Sequence, residues 1–236
     1  MKKKILGSLF IFFIIQNMFA GMDQFSGYSG SQNSLREYKN RFIEIMNDND
    51  FNNISSSMWS EYGYYASSQN SLQEFKRRYN EIMNDSEFNN LETQTNVHMS
   101  SFYGYYASSQ NSLQEYKNRF IEIMNDNEFN NTNINWPFGW GKTALFRFYG
   151  NYASSQNTLQ EFKRRIEEIS NDVEFNNINI HDLYENLHAL YFGNYAGSTH
   201  SILEYKRQFI EILNDLEFIN IANSFQQSYE NGYIYY

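Results

Sequence analysis

Tyr62-Gly63-Tyr64-Tyr65-Ala66-Ser67-Ser68-Gln69-Asn70-Ser71-Leu72-Gln73-Glu74 recurs letter for letter at Tyr103–Glu115. Tyr149–Glu161 repeats it with only Asn151 and Thr158 changed. A diverged copy begins near Tyr28, and another runs from Phe192 to Glu204. A unit copied in tandem places function in serial or stacked modules rather than in one enzymatic pocket.

Each copy ends in S/T-x-x-E: Ser34–Glu37, Ser71–Glu74, Ser112–Glu115, Thr158–Glu161 and Ser201–Glu204. This is a helix-starting box, in which the hydroxyl accepts from the third helical amide and the Glu reaches back to the cap. Apolar residues then recur at helical spacing, as Leu113, Tyr116, Phe120, Ile123, Met124 and Phe129 do in the third unit. The pattern predicts one helix of about 17–20 residues per unit, fraying in Asn-rich tails. Glu37–Arg41, Glu74–Arg78, Glu115–Arg119 and Glu161–Arg165 stand four apart in the order that favours helical ion pairs. The aromatic stretch before each cap reads as a loop or short helix, with a fuller first helix in the last unit at Leu183, Leu187, Leu190 and Tyr191.

The fold class predicted is all-α, with tandem helical repeats in a small array, since one unit buries too little surface to stand alone. The divisions are a signal peptide at 1–20, then repeats at 21–56, 57–93, 94–134, 135–180 and 181–236. Lys2, Lys3 and Lys4, the apolar run Ile5–Ile15 and the small Ala20 carry the signal-peptide reading. That run is short for a membrane span, so no membrane association is expected after cleavage.

Net charge is −9, and it grows more negative once the three leader lysines are removed. That balance argues against nucleic acid as a partner, because phosphates need Lys and Arg. The chain has no cysteine, so neither disulfides nor thiol chemistry is available, and aromatic packing must hold the fold.

The fifth unit resembles the inhibitory prodomain of papain-like cysteine proteases, the cathepsin propeptide inhibitor family. That family carries E-x3-R-x3-F-x2-N-x3-I-x3-N on a long helix. Here the positions hold Glu204, Gln208, Ile212, Asp215, Ile219 and Asn223. Upstream, Tyr191–Tyr195 is similar to the family's Y-G-x-x-Y stretch; downstream, Ser228–Gly232 is similar to its strand entry. The other units keep the front half: Glu37, Arg41, Ile45; Glu74, Arg78, Ile82; Glu115, Arg119, Ile123; Glu161, Arg165, Ile169, each followed by Asp. They depart at Asn52, Asn89, Asn130 and Asn176, where the family has Ile. The resemblance implies a secreted or lysosome-like vesicular inhibitor that docks helical modules on a papain-like cysteine protease. The alternative is a secreted structural or interaction repeat that has lost inhibition.

Other motifs fall short of chemistry. Gly141-Lys142-Thr143 lacks the leading Gly of a phosphate loop, which is Trp136 here. Asp48–Asn52 resembles the front of a calcium loop, but Trp59 stands where the closing Glu belongs. His98, His181, His188 and His200 keep no ligand spacing, and no G-x-S-x-G elbow occurs. The sequence therefore predicts no enzyme, no catalytic residue, no metal and no cofactor. Asn53, Asn84 and Asn130 open N-glycosylation sequons.

Overall fold

The computed structural model describes residues 22–54, 58–95, 97–131, 142–177 and 187–221. The signal segment, Asn223, His181 and the Ser228–Gly232 stretch lie outside them. The fold is all-α, and no strand occurs among the described residues.

Among the described residues, three helices recur in each unit, and short extra turns lie at Glu92–Thr95 and Met99–Phe102. The aromatic stretch is an inner helix in every unit: Met22–Ser29, Met58–Ser67, Tyr103–Ser108, Lys142–Ser154 and Leu187–Gly197. It is not a loop, because successive helical turns bury Tyr or Phe. Tyr28, Tyr65, Tyr106, Tyr152 and Tyr195 meet Tyr38, Phe75, Tyr116, Phe162 and Tyr205 edge-on or tilted, at centroid separations of 5.3–5.4 Å.

The capping boxes form as read. Ser34, Ser71, Ser112, Thr158 and Ser201 are extended N-caps whose side chains accept from the amide three residues on. Five outer helices follow: Leu35–Met46, Leu72–Met83, Leu113–Met124, Leu159–Ser170 and Ile202–Leu213, each of 12 residues. They are shorter than the stripe predicts. Asn47 leaves helical geometry at φ −92° and ψ 1°, and Asp48 turns extended to cap a new helix through Phe51 N. Asn and Asp compete with the helical ladder by bonding nearby backbone groups. The same Asn-Asp pair restarts the chain at Asp85, Asp126 and Asp215 as well, each accepting from the amide of the Phe three residues on.

The short third helix does not continue its own unit's stripe. Phe51 packs on Phe75 and Tyr79 of unit two, and Phe88 on Tyr116 and Phe120 of unit three. Phe129 packs on Phe148 and Tyr149 of unit four, and Phe175 on Tyr205 and Phe209 of unit five. Phe218 then packs on Tyr38 and Phe42 of unit one. All five are essentially inaccessible to solvent, and each such burial contributes about 1.5–3 kcal/mol.

That last contact closes the structure. Every inner helix packs against the inner helix of the next unit, and the fifth packs against the first. Every outer helix likewise packs on the next unit's inner helix, the fifth again on the first. The units form a ring rather than an open stack, so no unit lacks a neighbour. Close approach of the inner helices dictates one glycine register. A Cβ on Gly150 would lie 2.6 Å from the Tyr105 ring of the preceding unit, and Gly104 is covered by Tyr64 in the same way.

Candidate functional site at the junctions between units

The repeated motif residues converge on the junctions. Arg41, Arg78, Arg119 and Arg165 do not pair with the Glu four residues earlier. Each guanidinium crosses to the next unit and lies 4.1 Å over the ring of Tyr65, Tyr106, Tyr152 or Tyr195. Arg78 Nη2 donates to Tyr106 O at 3.0 Å, Ser109 Oγ at 3.0 Å and Asn111 O at 2.5 Å. The other three bond the matching atoms of their neighbours. Three fixed acceptors and an aromatic face outcompete one exposed carboxylate on the same helix. Glu74 and Glu161, so freed, pair with Arg77 and Arg164 three residues on, and Glu204 pairs likewise with Arg207. Glu37 and Glu115 remain exposed at their helix starts.

Ile45, Ile82, Ile123, Ile169 and Ile212 are wholly buried and form the floor of each unit. The Asp residues that follow, Asp215 included, cap the third helix and also receive a Lys from the next unit. Lys76 meets Asp48 at 2.9 Å, Lys117 meets Asp85 at 3.1 Å, Lys163 meets Asp126 at 3.0 Å, and Lys206 meets Asp172 at 3.0 Å. Lys39 meets Asp215 at 3.0 Å across the closing junction. A hydrogen bond from Lys117 to Glu87 holds that ammonium above its ordinary range.

Asn52, Asn89 and Asn130 explain where the chain leaves the prodomain pattern. Each amide nitrogen donates back to the outer helix end, at Met46, Met83 or Met124. Each amide oxygen accepts the hydroxyl of the next unit's Tyr62, Tyr103 or Tyr149 at 2.7 Å. Of the three sequons, Asn53 and Asn84 are exposed, whereas Asn130 is half-buried and bonded on both sides of its amide. A glycan on Asn130 would break the junction between units three and four.

Three further sets of junction residues were not singled out from the sequence. Glu44, Glu81, Glu122, Glu168 and Glu211 accept the hydroxyls of Tyr65, Tyr106, Tyr152, Tyr195 and Tyr28. Burial, and then the bond to its Glu, pushes each of these tyrosines well above its ordinary range. Asn33, Asn70, Asn111 and Asn157 each donate to two carbonyls at the end of the next inner helix. The Lys residues form the third set. The signal was available: each recurs at one fixed offset from the cap.

The inner helices line an open hollow of about 160 Å³. Tyr64, Tyr105, Asn151 and Asn194 line it with serines such as Ser67 and Ser108, and no charged side chain does. The hydroxyls of Ser67, Ser108 and Ser154 donate to carbonyls of their own helices. Their remaining lone pairs make the wall a weak acceptor surface.

No helix among the described residues is long and apolar enough to cross a membrane. No family model, curated protein or solved structure matches this chain.

Proposed function

We propose that the chain is a secreted protein that works by binding, its five units closed into one helical ring. In this reading the prodomain-like motif has been turned inward. The observation that carries it is the destination of Arg41, Arg78, Arg119 and Arg165, all of which clamp the following unit. The aromatic face that a separate module would offer a protease is covered by the next module. Units so joined act as one body, and the partner meets the rim of the ring. The basic leader followed by Ile5–Ile15 supports secretion.

A second reading, inhibition of a papain-like cysteine protease, has one observation in its favour. Among the described residues, the most exposed large apolar side chains are Leu203, Ile210, Leu216 and Val173. Leu203 and Ile210 lie two turns apart on the outer helix of unit five, whose motif follows the prodomain pattern furthest. Titrating the mature chain against papain-like proteases, with peptide hydrolysis as readout, separates the two. The ring-scaffold reading expects no inhibition at micromolar protein while circular dichroism shows a folded helical chain. Tight inhibition abolished by Leu203→Glu with Ile210→Glu establishes the second reading instead.

A further inference from the structure

We propose that the junction between units five and one is an exchangeable interface, and that its alternative partner is a second copy of this chain. Four junctions share the arginine clamp and the asparagine that bonds two carbonyls, and this one lacks both. Gln208 stands in the register of the four arginines, so no cation covers the Tyr28 ring. Gln208 is 5% exposed, and its Oε1 has no hydrogen-bond partner. His200 stands in the register of the paired-carbonyl asparagines and reaches only Ser31 O, at 2.9 Å. Ile219 and Phe25 replace the Asn and Tyr that hydrogen-bond across three other junctions. One contact is added: Ser26 stands where the other units carry glycine, and its Oγ accepts from Asn194 at 2.6 Å.

The recognition elements nevertheless remain. Lys39 still meets Asp215, Tyr28 donates to Glu211 at 2.8 Å, and Phe218 stacks among Phe25, Tyr38 and Phe42. This interface is specific but less firmly clamped. Units five and one are also the pair most distant along the chain, so no short connection holds them together. Opening here exposes two faces that fit each other by construction. On a second opened copy the same faces are present, so a head-to-tail contact regenerates the seam between molecules. Closure of two opened rings gives a ten-unit dimer; failure to close gives a chain of copies.

The test uses the mature chain, concentrated, held a few degrees below its unfolding transition and then cooled. Size exclusion with light scattering reads the mass. A species of twice the chain mass, persisting on dilution, is expected. Gln208→Arg with His200→Asn restores both clamps and lowers the yield of that species roughly tenfold or more, the effect of one charge-assisted bond set. Arg119→Gln places the same defect at the junction between units three and four, which the chain bridges. It should weaken the fold without raising the dimer yield. Only monomer from the unaltered chain, or equal yields from the unaltered and restored chains, overturns the proposal. Should the restored variant fail to fold by circular dichroism, hydrogen exchange on the unaltered chain decides. Faster exchange at residues 25–31 than at 62–68 and 103–109 supports the seam, and equal protection overturns it.

Discussion

Units two and three share thirteen consecutive residues, yet their interiors close in different ways. In unit three Phe102 meets Phe120 edge-on at 4.8 Å. The same register in unit two holds Glu61 and Tyr79. Glu61 is 2% exposed, and burial pushes its carboxyl up to about 8, against hydrogen bonds from Ser60 and Tyr79. The shared letters build the cap and the junction, which every unit needs. The position ahead of them is set by its partner alone. A carboxyl can replace a benzyl group where the facing residue supplies a hydroxyl.

The largest expected effect comes from breaking that pairing. Phe102→Glu alone puts a carboxyl against Phe120 without a donor and should cost about 4 kcal/mol or more by urea unfolding. Adding Phe120→Tyr should recover about 1 kcal/mol, the value of the restored hydrogen bond. Strict additivity of the two changes would show that the positions are not coupled.

Next is the junction that joins these two units. Arg78→Ala strands three acceptors and uncovers the Tyr106 ring, so a loss of about 3 kcal/mol is expected. Arg119→Ala should match it at the following junction. A loss near that of an exposed side chain would mean that the guanidinium is not a clamp.

The pH dependence sharpens the comparison further. The folded-state pKa of Glu61 lies above its unfolded value, so the native state holds a proton that the unfolded chain releases. Its contribution is complete below the unfolded pKa and is lost as pH rises toward about 8. Thermal unfolding at pH 4 and pH 8 should show Glu61→Gln gaining on the unaltered chain at the higher pH. No such gain is available from unit three, which carries Phe102 there. Equal slopes for variant and parent would place the Glu61 carboxyl in water.

The helix starts could be read because a cap is local: Ser71 and Glu74 need only three residues between them. The destination of Arg78 could not. A Glu four residues earlier satisfies the local rule, while the winning acceptors lie 28–33 residues on, in a unit whose placement the stripe leaves open. The ring was illegible for the same reason. A periodic apolar face states that a helix has a partner, but not whether the last unit finds the first. The helix break at Asn84 and Asp85 was legible in principle, since the pair recurs at a constant offset, but the apolar stripe runs across it and suggests continuity.

The smallest effect probes the part that units two and three share. Ser71 and Ser112 accept from Glu74 N and Glu115 N, both at 3.2 Å, and both amides lie on the exposed side. Ser71→Ala and Ser112→Ala should each cost about 1 kcal/mol, because water replaces part of the lost bond. Equality is the informative outcome. The two caps sit in identical sequence but ahead of different cores, one polar at Glu61 and Tyr79 and one aromatic at Phe102 and Phe120. Matching losses in urea unfolding would show that the cap acts on its own helix alone. A larger loss at Ser71 would show that the outer helix start also positions Tyr79 for the buried carboxyl, and the shared letters would then carry a different load in each unit.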